Sequence, residues 1–431
     1  MAPGGQGETN PLIEIIKTDI FIIIRGDMME PQLKDIQAAQ RSFEGVIHPS
    51  PVIRSAYLSR ILGSEIFLKL ENLQETGSFK VRGAYNRLRH LGSEEREKGV
   101  IAASAGNHAQ GVAWASRLLS ICATIVMPED VSLRKLIAVK EYGAEIILFG
   151  KHYSDAHKRA LDLAREREMV LIPGFDDPFV IAGQGTIGLE LAPLLTPETA
   201  IVVPVGGGGL ISGIAIAAKS IQPGVRVVGV QTRSCPSTIR SLEHGRPVEV
   251  EVAPTLADGI AVNRPGFLTF PIIQAHVDEV VEVEEESIAG AVLSLLDKAN
   301  IVAEGSGATP LAALMDATMA THAKRHILVI SGGNIEINMI DRILQRGSIK
   351  MGRLIRIEVN LLDVPGSLWN LLGIIAKEKA NILHILHDRL DPHNPIEVSR
   401  VRLNLETRGH DHGRAVVTEI EKAGYHIRQI T

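Results

Sequence analysis

Between residues 30 and 345, short apolar runs rich in β-branched residues alternate with stretches of helical periodicity. EIFLKL (65–70), GVIAAS (99–104), ATIVMP (123–128), AEIILFG (144–150), AIVVPV (200–205), VRVVGV (225–230) and RHILVIS (325–331) are continuous enough to be strands buried on both faces. HAQGVAWASRLL (108–119) and LISGIAIAAKSI (210–221) carry the 3.6-residue pattern of helices between them. Strand then helix, repeated, predicts an α/β fold: a doubly wound parallel sheet covered on both faces. Ligands in such sheets bind at the carboxyl ends of the strands, in the loops that lead into helices.

The pattern changes near Gly347–Gly352. RLIRIEVNL (353–361) alternates as a half-buried strand, and PGSLWNLLGIIAKEKA (365–380) is helical, with Pro365 near its start, where a missing N–H costs little. ILHILHDRL and IEVSRVRLNLE (396–406) alternate again. GRAVVTEIEKAG (413–424) predicts a second helix and YHIRQI (425–430) a last strand. This β-α-β-β-α-β order is ferredoxin-like. The expected organisation is a loose extension over 1–29, a catalytic domain over 30–346 and a smaller domain over 351–431.

Composition narrows the function classes. The chain has 431 residues and a net charge of −5, so it lacks the basic field that nucleic acid requires. Its two cysteines, Cys122 and Cys235, cannot build a disulfide framework, which fits a reducing, cytoplasmic setting. No apolar run approaches the roughly 18 residues of a membrane span. The run Ile20–Ile24 is short and flanked by Asp19 and Arg25, unlike a signal peptide. Met28 and Met29 offer alternative starts.

The candidate chemistry begins at GSFKVRGAYN (77–86), where Lys80 follows the aromatic Phe79 between Gly77 and Gly83. A lysine in a helix's first turn is ordinarily a solvated cation. It becomes a nucleophile when a dry or electropositive site lowers its pKa. Schiff-base chemistry with an aldehyde cofactor, pyridoxal phosphate, is the use that fits.

Other loops bear on that reading. Gly206–Gly209 follows a strand and opens a helix, so consecutive backbone N–H groups can curl round an anion at a helix N-terminus. The dinucleotide pattern fails, because Ile211 and Ser212 stand where its last glycine belongs, and no P-loop ending follows. A single phosphate fits better than a nucleotide. SAGNHAQG (104–111) also joins a strand to a helix. Ser104, the amides around Gly106, and Asn107 can grip a carboxylate, and Asn107 can bond a phenolic oxygen. His108, near a helix start, reads as a packed structural histidine. In SGGN (331–334), Ser331 can meet a ring nitrogen or simply cap a helix.

Taken together, ENLQETGSFKVRGAYN, SAGNHAQG, FDDPFVIAGQGTIGLE, VPVGGGGLISG and SGGN resemble, in order, the fold-type II pyridoxal-phosphate enzymes related to the β subunit of tryptophan synthase, and among them threonine (serine) ammonia-lyase. The likeness spans about residues 43–345. It implies two subdomains, the smaller inserted at about 75–175. It implies Lys80 as the covalent anchor of the cofactor and Phe79 against its ring. Asn107 would bond the 3-oxygen, Gly206, Gly207, Gly208, Gly209 and Leu210 would cradle the phosphate, and Ser331 would face the ring nitrogen. Ser104, Ala105, Gly106, Asn107 and His108 would take the substrate carboxylate, mainly through main-chain amides.

A serine at the ring nitrogen makes a weaker electron sink than an aspartate would. That favours prompt loss of a β-hydroxyl over a long-lived carbanion. Lys80 would take the Cα proton, and the cofactor phosphate could serve as the acid for the departing hydroxide. Two departures from relatives matter. Ala105 stands where racemases of the family carry a second serine. Gln231 and Ser237 replace the acids through which some relatives hold a divalent cation, so no tight metal site is expected. The last 80 or so residues resemble an ACT domain, an amino-acid-sensing module, with Asp363, Pro365 and Gly366 at the effector loop and Asn381 facing them across a dimer contact.

The expectation is a threonine ammonia-lyase that also accepts serine, yields 2-oxoacid and ammonia, and assembles as a homodimer or homotetramer under the control of isoleucine, valine or threonine. The rivals are a serine racemase or serine dehydratase, and a non-catalytic amino-acid sensor.

Overall fold

The computed structural model describes residues 29–319, 323–390 and 395–429. The expected extension therefore lies outside the described residues, save Met29. The chain divides into two compact units between Ile335 and Glu336. The composition change at 347–352 marks something more local. It falls at the end of the helix Ile337–Lys350 and the short turn after it, both inside the second unit.

The first unit contains two sheets. In chain order its strands are β1 (Val52–Arg54), β2 (Glu65–Leu70), β3 (Val100–Ala103), β4 (Ala123–Met127), β5 (Glu145–Leu148), β6 (Val170–Leu171), β7 (Thr199–Pro204), β8 (Arg226–Thr232), β9 (Glu279–Val283) and β10 (Arg325–Ile330). The larger sheet is six-stranded in the order β1-β2-β10-β7-β8-β9. Only β1 runs antiparallel to its neighbour. The smaller sheet, β5-β4-β3-β6, is four-stranded and all parallel. Every sequence-predicted strand of this region is present. β1, β6 and β9 are additions; β1 and β6 are too short to carry a pattern, and β9 (EVVEV) buries Val281 and Val283 but is interrupted by glutamates, so it lacks the continuous apolar run of the other strands.

Helices cover both sheets. The helix Lys80–Arg89 packs between Asn107–Leu119 and Pro178–Glu190. The second contact is backbone to backbone: a Cβ on Gly183 would lie 2.6 Å from the Arg82 carbonyl oxygen and 2.7 Å from the Gly83 Cα. No side chain fits there, which fixes the first helix rigidly against the second. The core is aliphatic, with Ile201, Val203, Ile211, Ile327 and Val329 fully buried beside the larger sheet. Among the described residues no helix is long and apolar enough to cross a membrane.

The second unit contains β11 (Leu354–Leu362), β12 (Asn381–Asp388), β13 (Val398–Glu406) and β14 (Ile427–Gln429), ordered β12-β13-β11-β14 and antiparallel. The helices Ser367–Lys377 and His410–Lys422 complete the ferredoxin-like order and pack on its core of Ile357, Val359, Leu371, Val401 and Ile420.

Candidate active site

Lys80 is the first residue of its helix, with Phe79 at the N-cap. Two glycine-containing loops fold over this start. The Phe79 N–H donates to the Ser331 carbonyl at 3.1 Å, and Ser78 bridges Gly332. The SGGN turn at the end of β10 is thereby tied to the lysine. Ser331 itself is buried. The Phe79 ring packs into the core of the larger sheet, with the Lys80 Nζ 5.1 Å from its centroid. Lys80 donates to the Gly174 carbonyl at 2.8 Å. Burial pushes its amine down to about 8, and the nearby Glu304 carboxylate opposes that shift.

A buried ion cluster anchors the helix two residues further on. Arg82 makes paired hydrogen bonds to Glu71 (2.8 and 2.8 Å) and to Glu190 (2.6 and 3.0 Å), and a further one to Thr186. Lys69 joins Glu190 and the Ser50 carbonyl. Burial raises the Glu71 carboxyl, but Arg82, Lys69 and Ser50 outweigh it and hold it below the ordinary carboxylate range. Guanidinium forks suit this paired geometry.

The glycine loop lies next to the lysine through residues 174–175. Phe175, adjacent to the carbonyl that Lys80 contacts, lays its ring so close to Gly207 that a Cβ there would collide with it. Gly208 takes a left-handed φ of +97° as the helix Gly209–Ile221 begins. The Gly207 carbonyl is held by Thr269 Oγ1 (2.6 Å) and the Gly266 N–H (3.2 Å). The backbone N–H groups of Gly206 through Leu210 find no protein acceptor among the described residues. Largely buried orphan donors at a helix N-terminus are what a phosphate group requires, so these residues fit pyridoxal phosphate.

In the SAGN loop, Ser104 Oγ accepts from the Gly106 N–H at 3.2 Å and shapes the turn. The N–H groups of Ala105, Asn107 and His108 have no protein acceptor among the described residues. His108 is buried, and its Nε2 donates to the Ile172 carbonyl at 2.9 Å. Burial, then the Lys80 charge, pushes its imidazole down to about 4, so it is neutral at physiological pH. It has neither the charge nor a free Nε2 for acid–base work.

Gln231, at the end of β8, is buried. Its Oε1 accepts the N–H groups of Thr238 and Ile239, and its Nε2 donates to the Val205 carbonyl and Ser237 Oγ. The side-chain amide thus ties the residue before the glycine cup to the following helix. Glu304, Asn334, Phe175 and Arg82 adjoin the candidate site, and sequence reasoning did not single them out. The signal for Glu304 was an acid between the apolar run NIVA and the small-residue helix start GSGA.

The residues expected at an effector site in the second unit do not all converge within one chain. Asp363 is held by Arg389 in a paired contact (2.8 and 2.8 Å). Asn381 pairs with Glu406, which also faces Leu354, whereas Leu362, next to Asp363, faces Val398. Within one chain Asn381 therefore sits at the opposite end of the sheet from Asp363, Pro365 and Gly366. The helix between β11 and β12 returns the chain to the starting edge, and this separates them.

Residues 43–333 match the model of the family described as pyridoxal-phosphate dependent enzyme. The chain belongs to that family. It is 49% identical over 396 residues to an L-threonine ammonia-lyase of Thermotoga maritima, covering 92% of this chain and 98% of that one. Solved structures agree. Threonine deaminase isoform 2 of Solanum lycopersicum superposes with a TM-score of 0.69 at 38% identity, covering 74% of this chain and 87% of that one. A serine racemase of Dictyostelium discoideum superposes at 0.66, also at 38% identity, covering 71% and 99%. The protein is a fold-type II enzyme, and its cofactor is pyridoxal phosphate.

Proposed function

We propose that this protein is a threonine ammonia-lyase, converting L-threonine to 2-oxobutanoate and ammonia and L-serine to pyruvate and ammonia. The observation that carries the reading is Lys80: a buried amine pushed down to about 8, beside a glycine cup of unpaired N–H groups. The long threonine ammonia-lyase match supports the substrate.

Bound pyridoxal phosphate supplies the electron sink that makes the substrate Cα–H acidic. Lys80 would hold the cofactor, and its neutral amine would take the Cα proton. The Gly206–Leu210 amides hold the phosphate end. The amides of Ala105, Asn107 and His108 receive the substrate carboxylate, and neutral His108 adds no competing charge. Ser331, buried at the end of β10, would meet the ring nitrogen and keep the sink weak, which would favour departure of the β-hydroxyl. Ala105, where racemases of the family carry a serine, offers no hydroxyl as a proton donor, which argues against racemisation.

The second unit is read as an ACT regulatory domain. An amino acid would bind where the Asp363–Gly366 loop of one copy meets Asn381 of another, in a homodimer or homotetramer. The edge strand β12, with Leu383, Ile385 and Leu386 exposed, offers a surface for such pairing.

The test is 2-oxobutanoate release from L-threonine by cofactor-loaded protein. The wild type is expected to be yellow and active, and Lys80→Ala colourless and inactive. A colourless wild type would favour the sensor reading. D-serine exceeding pyruvate from L-serine would favour a racemase.

A further inference from the structure

A row of side-chain amides beside Lys80 is bracketed by two oxygen acceptors, of which the first cannot donate in any protonation state. One is the Thr76 carbonyl. The other is the carboxylate of Glu304, which the reaction outlined above does not use. Asn334 Nδ2 donates to the Thr76 carbonyl and to Asn107 Oδ1, each at 2.8 Å. Asn107 Nδ2 donates in turn to Glu304 Oε1 at 2.8 Å. Since a carbonyl cannot donate, it fixes the Asn334 nitrogen. Asn107 must then show its oxygen to Asn334 and its nitrogen to Glu304. One N–H of the Asn107 amide is thereby occupied, and the other remains for a ligand.

We propose that Glu304 is a positioning residue which, with Asn334, holds the Asn107 carboxamide so that its remaining N–H meets the 3-oxygen of pyridoxal phosphate. The proposal rests on the cofactor reading above. A flipped Asn107 would present an oxygen to the cofactor's 3-oxygen and repel it.

The surroundings of Glu304 are built to hold it. It caps the helix Gly305–Met315, and its N–H donates to the Gly332 carbonyl at 3.0 Å. A Cβ on Gly332 would lie 2.5 Å from its Oε1, so the SGGN turn closes directly over the carboxylate. At the far end, Gly77 has φ +70°, and a Cβ there would lie 2.6 Å from Asn334 Oδ1. Burial raises the Glu304 carboxyl to about 7. Asn107, Lys135 and the Asn334 N–H pull it down, and Asp258 pushes it up. Lys80 lies within electrostatic reach. The carboxylate form, the better acceptor, therefore prevails on the alkaline side of neutrality.

The experiment compares cofactor-loaded wild type, Glu304→Leu, Glu304→Gln, Asn107→Ala and the Glu304→Leu/Asn107→Ala double variant. Circular dichroism and melting select folded protein. The readouts are the visible absorption maximum, the pH midpoint of that band, and kcat against KM. Glu304→Leu is expected to shift the band and lower kcat roughly tenfold, the scale of one lost buried hydrogen bond. Glu304→Gln, which keeps an acceptor oxygen, should return the maximum to its wild-type position. The double variant should fall no lower than Asn107→Ala alone. A Glu304→Leu protein with the wild-type band and midpoint overturns the proposal, as does full additivity in the double variant. A wild type with no visible band fails earlier, at the cofactor reading, and so is distinguishable.

Discussion

Arg82 and Glu71 form a paired salt bridge from which both side chains are fully excluded from solvent. The pair lies two residues from Lys80 and links its helix to the residue that follows β2. Breaking a buried pair strands a charge, which typically costs about 3–5 kcal/mol. Arg82→Ala is therefore expected to lower unfolding free energy by about that amount, read by urea titration of the loaded and cofactor-free proteins. The Glu71 carboxyl is held low in the fold, so its contribution is full above the unfolded value and disappears as pH falls through the lower folded value. An acid melt should show wild type losing this increment below about pH 4.3, and Glu71→Gln lacking it throughout.

Cofactor capture should follow the neutral Lys80 amine. With its pKa at about 8, the rate of yellow-band formation from cofactor-free protein should climb about tenfold per pH unit at first and flatten near pH 8. A lysine of ordinary pKa would keep climbing to about pH 10. Stopped-flow absorbance across pH 6–10 separates the two.

Gly207→Ala sets a methyl against the Phe175 ring. Overpacking of this kind costs about 1–3 kcal/mol, and here it distorts the Gly206–Gly209 loop. Cofactor affinity, measured by fluorescence titration, should fall at least tenfold. Phe175→Leu in the same chain should restore part of it. An unchanged dissociation constant in Gly207→Ala would remove the cup from the phosphate site.

Trp369 is 77% exposed on the helix that follows the Asp363–Gly366 loop. If an amino acid binds there, isoleucine, valine or threonine should change its emission, and Trp369→Phe should abolish the change. The other tryptophan, Trp114, is half-buried in the core of the first unit and serves as the internal reference. Silence of Trp369 toward all three would set aside the effector reading for them.

The strands and the loops between them were legible because buried parallel strands are continuous apolar runs, and the lysine, glycine cup and SGGN turn all sit at their carboxyl ends. Glu304 and Arg82 were hidden for a common reason. Their meaning lies in partners more than ten residues away: Asn107 for the first, and Glu71 and Glu190 for the second. Periodicity along a chain does not report such meetings. Within one chain Asn381 sits at the far end of its sheet from Asp363, so the meeting expected of them needs a second copy, which spacing along a chain does not report.

The amide row from Thr76 to Glu304 also crosses between the two sheets of the first unit. Asn107 follows β3 of the smaller sheet, while Asn334 follows β10 of the larger and Glu304 bonds the same turn. Any breathing that parts the sheets must rupture these hydrogen bonds. The carboxylate would then meet water and ionise more readily. The lysine's electrostatic setting is thus a gauge of whether the two sheets stay tied together.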